Sequence, residues 1–505
     1  MRKQNLITTL VIIIAIILDS NTKAQAQTQY DTLYFALGDI ISLAQNDSPD
    51  AHINVHSFRN SYWNYRSFKA GYLPNLAFNA KLPSIMRTID EVVQNDGSVD
   101  YRERNTASFR ADLSLTQKIG LTGGTIFVQT GLQRLDNNIF SGGNASTQYL
   151  SSPVSFGISQ PIFSYNSYKW DKVTQAMQYD EAMRGYMEKN EGIAITAVNH
   201  FFDLLKAQIN KEISIKNEAN YDTLYKIAQN RYVLGKIAEN ELLQLELNLL
   251  SAQLATENAE LDYDNALFAF KSYIRLKTSQ AIVLIPPVVE SFFTIDVDQA
   301  IEEAVNNTSA TLSFERQVWE AKSNVARAKH EGRFSANLSA SFGLAQTADK
   351  LIDAYKNPLD EEIVSLDITV PILDWGQARG RIRMAESRLD MVQTQIDQSY
   401  IDFRQNINLK VQQFNMQQNQ LLIAAKSDTI AQKRYDITQK RYMIGQVNDV
   451  LELNNAQIDN DNAKIRYYEA LRTYWKIYFE IRQSTLYDFE RKQKISMMFN
   501  TLIDK

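Results

Sequence analysis

One long stretch without helix breakers occurs twice in this chain. From Pro161 to Ile285 there is no further proline and only three glycines, Gly185, Gly192 and Gly235. Apolar residues recur through it at helical spacing. A single reversal at Arg231-Tyr232-Val233-Leu234-Gly235 divides it into two arms. The first is about 68 residues, or roughly 100 Å at 1.5 Å per residue, far longer than a helix of an ordinary globular domain. Gln439-Lys440-Arg441-Tyr442-Met443-Ile444-Gly445 repeats Gln229-Asn230-Arg231-Tyr232-Val233-Leu234-Gly235 after 210 positions, and Pro371-Ile372-Leu373 repeats Pro161-Ile162-Phe163 at the same displacement. Each proline stands 71 residues ahead of its tyrosine. Two hairpins of equal arm are therefore expected in one chain.

The placement of breakers divides the rest. Nine of the 18 glycines lie between Gly71 and Gly157, whereas Gly445 is the only one after Arg381. This pattern predicts a mainly helical chain with a glycine-rich island of another kind. Acids and bases are interspersed at a net charge of −5, which gives no basic patch for nucleic acid. With no cysteine, disulfides, thiolate metal sites and cysteine nucleophiles are excluded. At the N-terminus, Arg2 and Lys3 precede the apolar run Leu10–Leu18 and then Ala24-Gln25-Ala26. This is the order of a secretory signal peptide, expected over residues 1–26. No later run approaches the ~18 apolar residues of a transmembrane helix, so membrane entry requires a barrel.

At Asn75 the period changes from 3.6 to 2. Leu76, Phe78, Ala80 and Leu82 alternate with polar or small residues, as do Phe109, Ala111, Leu113 and Leu115. Ile126, Val128, Thr130 and Leu132 follow the tight turn Gly120–Gly124, and Val154, Phe156 and Ile158 precede Gln160-Pro161. The second half carries two such runs, Ala336–Leu344 and Val364–Val370, each with hydroxyls or a carboxylate on its other side. In an exported chain this alternation places lipid outside and water inside. Six strands are too few to enclose a water-filled barrel, so several copies must contribute.

The return arm of the first hairpin carries two stripes, Leu243-Leu247-Leu250-Leu254-Leu261 and Leu242-Leu245-Leu249-Ala252-Ala259. A two-stranded coiled coil uses one seam. Two seams suit a helix with a neighbour on either side. Pro286-Pro287 ends the arm, and Asp298–Val305 resembles Asp39–Asn46, restarting the repeat. The resulting organisation is a first repeat over residues 27–290, with strands within 75–162 and a hairpin over 163–285. The second spans 291–505, with strands within 335–372, a hairpin over 374–485 and a C-terminal tail.

Catalytic signatures are missing. The glycines at 120–124 lack the Lys-Ser/Thr of a phosphate loop. His52 and His56 are four apart but lack a third ligand, and Asp360-Glu361-Glu362 reads as a solvated loop before a strand. No enzyme activity, cofactor or metal is expected. The informative positions are the two turns, where glycine ends a helix in the left-handed conformation at little cost. Candidate docking residues there are Arg231, Tyr232, Leu234 and Gly235 with Arg441, Tyr442, Ile444 and Gly445. Equal arms in several copies would bring all turns to one end, with Tyr232 and Tyr442 around a mouth. Glu239, Glu241, Asp449, Glu452 and Asn454 are candidates for its aperture, where carboxylates would favour cations.

With these features the chain resembles a TolC-type outer-membrane efflux protein. The likeness rests on the tandem repeat, on Tyr232-Val233-Leu234-Gly235 and Tyr442-Met443-Ile444-Gly445, on Leu451-Glu452-Leu453-Asn454-Asn455-Ala456-Gln457, and on Gln160-Pro161-Ile162-Phe163 where strand passes into helix. It implies a homotrimer with a β-barrel in the outer membrane, continued by a long α-helical tunnel into the periplasm of a Gram-negative-type cell. The tip would open on docking a periplasmic adaptor (membrane fusion) protein and an inner-membrane transporter, making the chain the passive exit duct of a tripartite efflux pump. The outer channel of a type I protein-secretion system and, from another class, a periplasmic coiled-coil scaffold are the alternatives. Two departures stand out. Four strands precede the first hairpin where two are usual, so the pair near residues 107–135 either widens the barrel or stands outside it. Asp449 and Glu452 lie two positions earlier than the acids of the family's second tip.

Overall fold

The computed structural model describes residues 32–137, 146–278, 280–289, 291–444, 446, 450–497 and 499–503. The expected signal peptide lies outside them. In chain order the elements begin with β1 (Leu33–Phe35), α1 (Leu37–Asp47), α2 (Pro49–Ala70) and four strands, β2 (Asn75–Val93), β3 (Val99–Lys118), β4 (Thr125–Asn137) and β5 (Ser146–Ile162). The first hairpin is α3 (Ser167–Val233) and α4 (Glu239–Tyr273), followed by β6 (Ile282–Leu284). The pattern then returns with α5 (Val297–Asn307), α6 (Ser309–Glu331), β7 (Ser335–Ala348), β8 (Leu359–Thr369), α7 (Gln377–Met443) and α8 (Val450–Thr485). Both long first arms, α3 and α7, are 67 residues. The short helices α1 and α5 are each 11 residues, and the buried hydroxyl residues Ser48 and Thr308 join each to its longer successor. The two repeats thus correspond element by element, apart from the extra strand pair.

Contacts divide the chain into two compact units that do not coincide with the repeats. One comprises residues 50–192, 293–418 and 477–505, and the other residues 1–49, 193–292 and 419–476.

The first unit contains a six-stranded sheet in the order β2-β3-β4-β5-β7-β8, antiparallel throughout. The pair β3 and β4 is therefore inside a continuous sheet rather than a hairpin apart from it. Register aligns Leu76, Leu115, Val128, Phe156 and Phe342 in one row across five strands, and all five are exposed. On the opposite face the rows are hydrophilic or small, as in Ser159–Ser339–Ser365 and Asn337–Asp367. Phe127 is an aromatic exception on that face, and its ring accounts for Gly157 opposite it: a Cβ there would meet Phe127 Cζ at 2.5 Å and the Ala340 carbonyl at 2.6 Å. Asp360-Glu361-Glu362, expected in a loop, instead belongs to β8 and pairs with Leu344, Gly343 and Phe342. Short range explains the error: a strand's outer end tolerates charge where no apolar face covers it. Among the described residues, β2 and β8 pair on one side only.

The same unit holds a buried charge cluster. Arg482 donates from Nε to Glu191 Oε2 at 2.9 Å and from Nη1 to Asp488 Oδ2 at 2.8 Å. Both carboxylates are 4% exposed. Burial raises Glu191 above the usual carboxylate range, against the pull of Arg482. Removing one member strands charge in a low-dielectric setting, so R482A is expected to destabilise this unit by about 3–5 kcal/mol. Chemical denaturation followed by tryptophan fluorescence would measure it, and a loss below about 1 kcal/mol, the range of exposed pairs, would contradict the assignment.

The second unit is helical apart from the parallel pairing of β1 with β6, Leu33 to Ile282 through Phe35 to Leu284. This pairing joins segments about 250 residues apart, and the periodicity of three-residue strands is too brief to reveal it. The core of α3 here is Ala194, Ala197, Val198, Phe201 and Leu205, all at 0% exposure. His200 stacks on Tyr273 at 4.4 Å.

Candidate functional site at the hairpin tips

Where α3 ends, Lys236 N–H donates to the Arg231 carbonyl at 2.9 Å and Gly235 N–H to the Tyr232 carbonyl at 2.8 Å. Gly235 has φ +69°. These two bonds and the left-handed residue make a Schellman termination, which is why glycine follows Leu234. The second tip repeats the longer bond: Gln446 N–H donates to the Arg441 carbonyl at 3.0 Å. Gly445 and Asp449 lie outside the described residues. Past the first turn, Glu239 and Glu241 occupy the opening turn of α4, and Glu452 that of α8, where the helix dipole favours carboxylates.

No atom lies within 4 Å of a Cβ built on Gly235, so a substitution there is penalised by the backbone alone. G235V is expected to cost about 1–2 kcal/mol locally and to re-form the tip. Asparagine, which tolerates this conformation, should cost less. Thermal denaturation of the three variants checks this: stability should fall progressively in the order Asn, Ala, Val. A valine variant as stable as the unsubstituted chain would contradict it.

Identical local sequence does not lead to identical surroundings. Arg231 Nη2 donates to the carbonyls of Tyr442 and Met443, both at 3.1 Å, and its guanidinium lies 5.3 Å from the Tyr442 ring centroid. Tyr442 is 1% exposed, whereas its counterpart Tyr232 is 42% exposed. Burial raises the Tyr442 phenol, with Glu241 acting in the same direction and Arg231 against it. Among the described residues, Arg441, the counterpart of Arg231, reaches Glu452 Oε1 at 3.8 Å. One arginine therefore ties the two hairpins together and the other faces a neighbouring carboxylate. Arg231 Nη1 and Glu241 Oε2 are buried without hydrogen bonds among the described residues. Water entering the tip would solvate both, lowering the cost of separating the hairpins.

Of the other aperture candidates, Glu239 is exposed, while the Asn454 amide is committed to packing. Its Oδ1 accepts from Tyr221 Oη at 2.8 Å. It belongs to a polar layer that spacing had not identified. Asn217 donates to Asp461 at 2.8 Å, and Asn220 to the Tyr435 hydroxyl at 3.1 Å. Burial pushes the Tyr221 phenol up to about 12 and raises Asp461 above the usual carboxylate range, against the Asn217 and Asn460 hydrogen bonds. A cavity of about 220 Å³ lies among Asn217, Tyr221, Asn248, Asn454, Gln457 and Asp461. The signal for this layer was the run of polar residues at 454, 457 and 461, which shares one helix face with the buried stripe. Among the described residues no group of three or more His, Cys, Asp or Glu is placed to hold a metal. No helix among the described residues is long and apolar enough to cross a membrane.

Comparison with known proteins bears on this geometry. Residues 303–485 match the family described as outer membrane efflux protein. Among solved structures, the CmeC outer membrane channel of Campylobacter jejuni superposes with a TM-score of 0.64 at 16% identity, covering 93% of this chain and 88% of that one. The MtrE outer membrane channel of Neisseria gonorrhoeae, in its open state, gives 0.62 at 14% identity, with 91% of each chain covered. The outer membrane protein VceC of Vibrio cholerae gives 0.60 at 12% identity, covering 89% of this chain and 95% of that one. No curated protein matches by sequence.

Proposed function

We propose that this chain, a member of the outer membrane efflux protein family through its second repeat, is one third of a trimeric exit duct that conducts substrates passively across the outer membrane. An inner-membrane transporter and a periplasmic adaptor hand those substrates over. The observation that carries this reading is the open six-stranded sheet, apolar on one face and hydrophilic on the other, with both edges unpaired among the described residues. An exposed apolar face of this size is unfavourable in water, and unpaired edges invite strand addition. Because each copy brings an even number of antiparallel strands, β8 of one copy meets β2 of the next antiparallel, as outer-membrane barrels require. Three copies make an eighteen-stranded barrel, a size that leaves an aqueous channel. The tips then supply the gate, with Arg231 across Tyr442 as its latch, and adaptor contacts fall on Tyr232, Leu234 and Gly235 with Arg441, Ile444 and Gly445. Glu239, Glu241 and Glu452 are the described acids nearest the aperture.

Particle imaging of detergent-extracted membranes, without partners, tests the assembly. Threefold particles with one detergent belt and a helical stalk of roughly 100 Å are expected. Particles that stay soluble without detergent, or single rods, would overturn the duct.

A further inference from the structure

The two ends of the sheet differ in charge. Register places the start of β2, the end of β3, the end of β5, the start of β7 and the end of β8 at one end, where α2, α3, α6 and α7 join the strands. At this helix-side end Lys69, Lys118, Lys169 and Arg333 are exposed, and α7 opens with Arg379, Arg381 and Arg383. The far end holds more acids than bases: Asp90, Glu91, Asp96 and Asp360-Glu361-Glu362 stand beside Arg87, Arg104, Lys350 and Lys356, and Arg104 pairs with Asp90. The whole chain is net negative, so this is a local segregation rather than an average.

Three features point to a role for these cations beyond the fold. First, several rest on aromatic rings instead of carboxylates. Lys69 Nζ lies 4.4 Å from the Tyr65 centroid, Lys118 Nζ 5.4 Å from Tyr168, and the Arg327 guanidinium 4.9 Å from Tyr165. An aromatic face attracts a cation without cancelling its charge. Lys69, Lys118, Arg379 and Arg381 form no ion pair among the described residues, whereas Arg383 and Lys329 share Glu386. Second, cations at the start of α7 oppose its dipole, and the first turn holds no acid. The helix start is already capped, by Asp374 accepting from Gly376 and Ala378 N–H at 2.9 and 2.8 Å. Third, a groove of about 540 Å³ between α6 and α7 sets Arg327, Arg381 and Arg388, three cations against the single carboxylate of Glu331, around an apolar floor of Ala328, Met384 and Met391. Guanidinium rims over an apolar floor match an anionic headgroup with its acyl chain.

We propose that this collar binds anionic phospholipid in the leaflet facing the helices, and so fixes the depth of the sheet in the membrane. Exposed Trp375, between β8 and α7, adds an aromatic anchor at the same level. The inference rests on the sheet being a barrel wall. It adds a lipid class and a site that the duct reading does not require.

The test uses the full-length protein purified in non-ionic detergent, with retained lipid counted by native mass spectrometry. Dioleoyl phosphatidylglycerol, dioleoyl phosphatidylcholine and inorganic phosphate are the probes. Phosphatidylglycerol should be retained at least about tenfold over phosphatidylcholine at low salt, with the preference falling steeply toward 0.5 M salt as the charges are screened. Combined R379Q, R381Q and R383Q should reduce that preference about tenfold or more, while K350Q with K356Q at the far end should leave it unchanged. Equal retention of both lipids, or an undiminished preference in the triple variant, would overturn the collar. Displacement by phosphate at equal headgroup concentration would make it a free-anion site and also overturn the lipid assignment. A protein soluble without any detergent would instead defeat the duct reading itself, so the two failures are distinct.

Discussion

Replacing Arg231 by alanine is expected to loosen the tip and make the proposed duct leak. The change removes two charge-assisted bonds to the carbonyls of Tyr442 and Met443 and a guanidinium over the Tyr442 ring. Loss of these contacts is worth about 2–4 kcal/mol per copy. If that acts on the tip equilibrium, the open population rises by roughly 30- to 1,000-fold before saturation. The repeat supplies an internal control. Arg441 occupies the matching position and, among the described residues, faces Glu452 at 3.8 Å, both side chains being roughly half exposed. Such a pair is worth less than about 1 kcal/mol, so R441A should shift opening by under about fivefold. Planar-bilayer conductance of the purified protein reads both. Equal effects from the two variants, or none from R231A, would sink the latch.

The second large effect concerns the sheet. Phe156 sits in the apolar row of β5, stacked on Phe342 at 5.9 Å, and F156R would place a cation on the face proposed to meet lipid. Arginine on the lipid face costs about 2–4 kcal/mol near the bilayer midplane, and the lost aromatic pair about 0.5–1.5 kcal/mol more. Repeated in each copy, this should abolish the oligomer in the outer-membrane fraction. Gln129 is exposed on the opposite face of neighbouring β4 and pairs with Ser155, so Q129R should assemble normally. Fractionation followed by unheated gel electrophoresis distinguishes them. If Q129R is the one that fails to assemble, the assignment of lipid and water to the two faces is inverted.

These expectations draw on different depths of information. Strand alternation around Phe78, Leu113, Val128 and Phe156 was legible because period 2 is a property of each strand alone. The long arms were legible because helix periodicity and the scarcity of glycine and proline are local too. The polar layer of Asn217, Tyr221, Asn454 and Asp461 was less so. A polar residue on a buried stripe looks like an interruption until its partner on another helix is known. Asn454 therefore read as an aperture residue, although its amide accepts from Tyr221.

By itself the chain's sequence determined two equal hairpins, the glycine turn that ends the first arm and the amphipathic strands beside them. Each follows from a repeat, a period or a backbone angle within a few residues. Tertiary structure alone decided that β3 and β4 enter one continuous sheet, that β1 pairs with β6, and that Tyr442 is buried while Tyr232 is exposed. The physical reason is the same in all three. Strand order and the choice between two equivalent residues depend on contacts between segments up to hundreds of residues apart, and two copies of one motif carry no local difference that would select between them.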